Sequence, residues 1–184
     1  NQPGYQAGVE EAISTLAQAA GGRTLVLFTS YAALTATLEA VRTHLETQGI
    51  QVLGQGVDGS PQQLLNIFKT STRALLLGTS SFWEGIDVPG DALSLLIIPR
   101  LPFPVPTDPI LEARCELLED GFNNYSLPQA VLRLKQGFGR LIRRRSDRGA
   151  MVLLDRRVKT MKYGSVFLES LPQCTVKSGP LRHM

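Results

Sequence analysis

Leu93-Ser-Leu-Leu-Ile-Ile98 decides how this chain folds, because it is apolar at five of six consecutive positions. An extended segment of that composition puts large side chains on both of its faces, as a strand between two helical layers does. A strand with one wet face alternates apolar and polar residues instead. Working outward, Ala74-Leu-Leu-Leu77, Leu25-Val-Leu-Phe28 and Ala150-Met-Val-Leu-Leu154 have the same character, and Ile50-Gln-Val-Leu53 is a shorter companion. Helix-favouring stretches separate them: Val9 to Ala20, Tyr31 to Gln48, Pro61 to Phe68, Ile110 to Asp120, Ser126 to Arg143 and, last, Tyr163 to Leu171. Gly21-Gly22, Gly49 and Gly121 stop three of these, and Ser60 with Pro61 starts another as N-cap and first-turn residue. Strands alternating with helices predict an α/β domain with a mostly parallel central sheet flanked by helices. The domain is expected over residues 9–178, with a flexible lead-in at 1–8 and a tail at 179–184.

The 184 residues suffice for one full hydrophobic core, and 43% apolar against 19% charged residues carries no signature of disorder. No apolar run approaches the roughly 18 residues of a membrane span, and no basic segment precedes an apolar run as in a secretory leader. Cys115 and Cys174 are far apart and fit no metal-ligand spacing, so the expected setting is a reducing cytoplasm. From Pro99 to Pro109 five prolines in eleven residues predict a stiff, irregular surface loop. His44 and His183 show no catalytic setting, and no dinucleotide fingerprint or base–nucleophile pair supports a metabolic enzyme.

Net charge is only +3, yet Arg133, Lys135, Arg140, Arg143, Arg144, Arg145 and Arg148 crowd into sixteen positions opposed only by Asp147. Such a cluster attracts phosphates of a nucleotide or a nucleic acid, and it is also what a solvated helix face looks like. The helix carrying it is more informative. Ser126 and Gln129 fit a capping box, with Pro128 in the first turn. At ~100° per residue, Val131, Leu134, Phe138, Leu141 and Ile142 make one apolar stripe, and Arg133, Gln136, Arg140 and Arg143 lie opposite. Gly137 and Gly139 each cost about 1 kcal/mol against alanine in a helix interior, which points to close backbone approach by a neighbouring element or a ligand. Gln with Arg at i+4 and i+7 suits phosphoryl transfer, where guanidinium groups stabilise charge on the equatorial oxygens and an amide holds the attacking water. An amphipathic surface helix with paired arginines is the other reading.

Gln136-x-x-Gly139-Arg140-x-x-Arg143 resembles motif VI of superfamily 2 helicases, and the continuation through Asp147, Gly149 and Asp155-Arg156-Arg157 resembles the DinG/XPD-type DNA helicases. Ser81-Phe-Trp-Glu-Gly85-Ile-Asp87-Val-Pro-Gly90 is similar to that family's motif V. Ile98-Pro-Arg100-Leu-Pro-Phe103-x-x-Pro106-x-Asp108-Pro109 is similar to its loop after the next strand, and Leu25 to Tyr31 sits where motif IV falls. Together the blocks cover roughly residues 23–170 in the family's order. The resemblance implies a RecA-like fold of the P-loop NTPase type, acting as the second motor domain of an ATP-dependent DNA helicase with 5′→3′ travel and a role in DNA repair or replication restart.

By that resemblance Arg140 and Arg143 are arginine fingers for the γ-phosphate, and Gln136 bonds that phosphate or the lytic water. Gly139 flanks them. Gly85 admits close backbone approach, and Glu84 and Asp87 link the nucleotide to the DNA track. Thr29, Ser30, Thr79 and Ser80, after buried strands, are placed to donate to DNA phosphates. Arg100, Pro102 and Phe103 face DNA in the same reading, Phe103 as a stacking platform if exposed or as core if the proline loop covers it. Trp83 is open in the same way, between core packing and a base contact. Position 100 is Arg where relatives often carry Lys, which keeps charge but changes geometry.

The chain has no G-x-x-x-x-G-K-[ST] phosphate loop, no Asp-Glu-Ala-His-type magnesium box and no four-cysteine iron–sulfur set. In the family these belong to the first motor domain. The expectation is therefore half an engine, an excised part whose ATP and Mg2+ are held mainly by an N-terminal motor domain of the same polypeptide. Single-stranded DNA is the other partner, an iron–sulfur cluster is possible in that full-length protein, and no metal is expected here. The competing expectation is a non-catalytic nucleic-acid-binding or regulatory module of the same fold.

Overall fold

A computed structural model describes residues 4–83, 93–105, 108–142 and 147–180. In chain order the elements are α1 (Tyr5–Ala19), β1 (Thr24–Leu27), α2 (Tyr31–Thr47), β2 (Gln51–Gly54), α3 (Pro61–Thr70), β3 (Ala74–Gly78), α4 (Ser80–Trp83), β4 (Leu95–Ile98), α5 (Pro109–Glu116), α6 (Leu127–Leu141), β5 (Ala150–Leu153), α7 (Arg157–Thr160) and α8 (Gly164–Glu169). Every expected strand is present to within two residues. The strands form one sheet in the order β2-β3-β1-β4-β5, and each of the four pairings is parallel.

The doubly apolar strands are explained by the layers on either side. Leu25 and Leu27 of β1, with Leu53, Leu76, Leu96 and Ile98, join Leu64 and Phe68 of α3, Phe82 of α4, Leu134 of α6 and Phe167 of α8. Val26 and Phe28, with Val52, Leu75, Leu77 and Ile97, join Ile13 of α1 and Leu34, Leu38 and Leu45 of α2 on the other face. The period-2 alternation of side chains thus feeds two separate cores from one run of residues. Each fully buried Leu, Ile or Phe contributes roughly 1.5–3 kcal/mol.

Two local expectations change. Residues 5–8, expected in a flexible lead-in, form the first turn of α1, and the Tyr5 hydroxyl donates to the Pro99 carbonyl oxygen at 2.6 Å. The Arg100 guanidinium lies 4.8 Å from the centre of the Tyr5 ring. Burial raises the Tyr5 phenol above its ordinary pKa, and Arg100 opposes that rise. Second, the Ser126–Gln129 capping box does not form. Ser126 is itself helical and makes no side-chain cap, because a π-helical turn, Phe122–Ser126, runs directly into α6. A residue with helical φ and ψ cannot turn its side chain back onto the following N–H groups. Ser60, by contrast, is extended and makes both bonds of a capping box with Gln63. Among the described residues no helix is long and apolar enough to cross a membrane.

Candidate functional site

In an all-parallel sheet every strand ends on the same edge, and that edge is where such sheets bind ligands. Here it carries Phe28 to Tyr31 after β1, Gln55 after β2, Thr79 to Trp83 after β3, Pro99 to Phe103 after β4 and Asp155 to Arg157 after β5. The last turn of α6 reaches the same edge, because Arg140 Nη2 donates to the Trp83 carbonyl oxygen at 3.0 Å.

Trp83 organises the middle of this edge and is core, not a base contact. It is buried, its indole Nε1 donates to the Phe28 carbonyl oxygen at 3.1 Å, and its ring packs on α6 at Gly137. A Cβ added to Gly137 would stand 2.9 Å from Trp83 Cζ3 and 3.3 Å from Leu27 Cδ1. This glycine is therefore required by a neighbouring element. Gly139 differs: nothing lies within 4 Å of where its Cβ would be. Gln136 is exposed beside it, and Arg140 is half-buried. The α6 stripe is as the periodicity requires, with Leu134 and Leu141 buried and Val131, Phe138 and Ile142 partly so. Loss of water around the Arg140 guanidinium lowers its pKa from the ordinary value. It remains a cation at neutral pH, as arginine does.

The residues expected to face nucleic acid separate into three groups. Thr29, Ser30 and Ser80 are exposed on the strand-end edge. Thr79 is buried, and both its backbone N–H and its hydroxyl donate to Gln55 Oε1, at 2.7 and 3.1 Å. Pro102 is buried and Phe103 half-buried. Phe103 stacks on Phe122 at 5.8 Å and meets Tyr163 and Phe167 edge-on at 5.4 and 5.6 Å, so its faces are engaged in an aromatic cluster. Arg100 is exposed and anchored on Tyr5. Glu84, Gly85, Asp87 and Arg143 lie outside the described residues.

Two features escaped the sequence reading. Asp155, buried at the end of β5, accepts from Leu101 N at 2.9 Å and from Arg157 N, Nε and Nη2 at 2.6–3.0 Å. Burial alone would raise its pKa, but the hydrogen bonds from Arg157 and the Leu101 amide more than offset it and hold the carboxyl below its ordinary value. The same pairing raises Arg157. Gln55 is the other, a buried amide whose only signal in the sequence is a lone polar residue between Gly54 and Gly56 after an apolar strand. A cleft of about 670 Å3 also lies beside the aromatic cluster, lined by Phe103, Leu111, Cys115, Phe122, Arg157 and Tyr163. It lies away from Gln136 and Arg140. Among the described residues no group of three or more His, Cys, Asp or Glu side chains could hold a metal ion.

An all-parallel sheet with a Gln- and Arg-bearing helix reaching its strand-end edge is the architecture of a helicase motor domain. The chain belongs to that class: the family model described as "Helicase C-terminal domain" matches residues 13–174. Within the family it is 43% identical over 180 residues to the 3′-5′ exonuclease DinG of Bacillus subtilis, covering 95% of this chain and 19% of that protein. It is 46% identical over 176 residues to the ATP-dependent DNA helicase YoaA of Escherichia coli, covering 94% of this chain and 27% of that protein. The chain thus spans about a fifth to a quarter of the length of these relatives. In fold it is similar to Xpd4 of S. tokodaii, with a TM-score of 0.57 at 23% identity over 86% of this chain and 30% of that one.

Proposed function

We propose that this chain is the second motor domain of an ATP-dependent DNA helicase, working with a first motor domain of the same polypeptide on single-stranded DNA in the bacterial cytoplasm, with 5′→3′ travel. In this reading ATP and Mg2+ are held mainly by the first domain, and any iron–sulfur cluster belongs there too, since this sequence carries no phosphate-loop motif and only two cysteines. This chain's contribution is the group Gln136, Gly139, Arg140 and Arg143. Arg140 and Arg143 stabilise charge on the transferred phosphoryl, Gln136 orients the attacking water, and Gly139 offers bare backbone to the nucleotide. In the same reading Glu84 and Asp87 couple the nucleotide to the nucleic acid, and Gly85 admits close backbone approach.

The observation that carries the reading is the setting of Arg140. Its guanidinium is partly stripped of water and oriented by the Trp83 carbonyl before any ligand arrives. A preoriented, desolvated cation stabilises developing negative charge more than a hydrated one, because the surrounding dielectric is lower and less reorganisation remains. Trp83 also bonds the end of β1, so movement of Arg140 on phosphate binding is felt at the strand-end edge.

Two measurements test this. The isolated chain should show negligible ATP hydrolysis with or without single-stranded DNA, and robust turnover by it would overturn the shared-site reading. In the full-length protein Arg140→Ala should cut DNA-stimulated turnover by about 10^3-fold or more, the scale of an arginine finger, while nucleotide binding persists. Near-normal turnover would remove the finger assignment.

A further inference from the structure

Gln55 is an amide whose orientation is determined by its partners. The Thr79 backbone N–H can only donate, so the atom 2.7 Å from it must be the amide oxygen, and the Thr79 hydroxyl donates to the same oxygen at 3.1 Å. The amide nitrogen therefore points the other way, toward the Tyr31 hydroxyl at 2.6 Å and Ser81 Oγ at 3.3 Å. An amide nitrogen has only protons to offer. Both hydroxyls must accept from it, and each is left with its own proton directed elsewhere. Tyr31 is 51% exposed and Ser81 is exposed, and neither donates to any other described residue. Gln55 itself is only 3% exposed, so water does not compete for the arrangement.

The consequence is a small surface, at the ends of β1, β2 and β3, that presents hydroxyl donors rather than acceptors. Ser30 adds to it: its Oγ caps α2 by accepting from Ala33 N. Outward hydroxyl donors match an anion rich in acceptors, as the oxygens of a phosphodiester backbone are; the described carboxylate after β2, Asp58, is paired with Arg42. Thr79, buried with its donors used, is the residue that fixes Gln55, not one that reaches the strand.

We propose that Gln55 is a positioning residue that sets the hydroxyls of Tyr31 and Ser81 as outward donors to phosphate oxygens of a bound single strand. The inference rests on reading this edge as the strand's track. It is tested by binding of a fluorescent oligothymidylate to the full-length protein and to its Tyr31→Phe, Ser81→Ala and Gln55→Glu variants. Tyr31→Phe removes the outward donor, and with it one acceptor of the buried Gln55 amide nitrogen, and should raise Kd about three- to tenfold, the scale of one hydrogen bond to a charged acceptor. Its thermal midpoint should fall by no more than the loss of one hydrogen bond, since the Gln55 amide nitrogen keeps Ser81 Oγ as an acceptor. The salt dependence should keep its slope, because a neutral hydroxyl releases no counterion, whereas loss of a Lys or Arg contact flattens it.

Gln55→Glu keeps the acceptor for Thr79 but replaces the outward-directing NH2 with a second acceptor, so both hydroxyls turn inward to donate to it. It should weaken binding more than Tyr31→Phe does. In a Tyr31→Phe/Ser81→Ala background its effect should shrink, because only the repulsion by the added charge remains, and that term cancels in the cycle. Wild-type binding with both single hydroxyl variants within about twofold of it would overturn the proposal, as would strict additivity in the cycle. If Gln55→Glu fails to fold, the two hydroxyl variants decide alone. Failure of the wild-type protein to bind the strand overturns the helicase reading and this one with it.

Discussion

At the scale of single residues, the two glycines of α6 separate packing from function. Gly137 faces a tryptophan ring pinned at its far end by the bond to the Phe28 carbonyl, so the ring cannot yield to an added methyl. Gly139 faces open space. Gly137→Ala should therefore lower the stability of the domain by up to about 2 kcal/mol, an overpacking cost of roughly 1–3 kcal/mol less about 1 kcal/mol for the helix preference of alanine. Gly139→Ala should raise stability by up to ~1 kcal/mol through that preference alone. In the full-length protein the order should reverse for chemistry, with Gly139→Ala impairing ATP turnover despite its sturdier helix. Thermal melts of the two variants with steady-state rates check both halves. A neutral effect of Gly139→Ala on turnover would remove Gly139 from the nucleotide face.

At the scale of elements, Ser60 and Ser126 read alike as letters and behave differently. Each stands three residues before a glutamine and near a proline, yet only Ser60 is extended and capping. Ser60→Ala should cost about 1 kcal/mol, while Ser126→Ala, which gives up only a weak contact with Cys115 Sγ, should stay within about 0.5 kcal/mol. Denaturant midpoints of the two variants measure the difference, and equal losses would restore a cap at Ser126. The contrast shows what a one-dimensional reading resolves. Strand positions were legible because period-2 burial on two faces leaves continuous apolar runs, which the flanking glycines bound. The start of α6 was legible too, but not the loss of its capping box, because a π-helical turn supplies the preceding carbonyls and no residue pattern marks one. The first turn of α1 was missed for a related reason. Tyr5 is held by Pro99, ninety-four residues away, and local apolar periodicity carries no trace of such a contact.

At the scale of the whole molecule, the arginine row was legible as residues on one helix face, but its backing was not. Trp83 and Gln55 act through partners in other strands, so neither role shows in its own neighbourhood of sequence. Asp155 is the same kind of residue, and it has a consequence for acid stability. It bolts the end of β5 to the loop after β4 through Leu101 N, and Arg157, which it also holds, lies 5.5 Å from the centre of the Phe103 ring. Because its carboxyl is held below the ordinary value of 3.8 in the folded chain, the unfolded chain binds the proton more readily. The stability it contributes is thus fully present above that ordinary value and is lost as pH falls through the lower, folded one. Asp155→Asn keeps the shape but gives up the charge and leaves Arg157 without its partner. It should cost about 1–3 kcal/mol at pH 7, the penalty for breaking hydrogen bonds to a buried charged group. As pH falls below 3.8 the wild-type protein approaches the variant, since the proton is taken up first by the unfolded chain and then, at the lower folded value, by the native one. Midpoints of unfolding measured for the pair from pH 7 down to pH 2.5 should converge. A gap that stayed constant across that range would show that the carboxylate's charge plays no part in closing this edge.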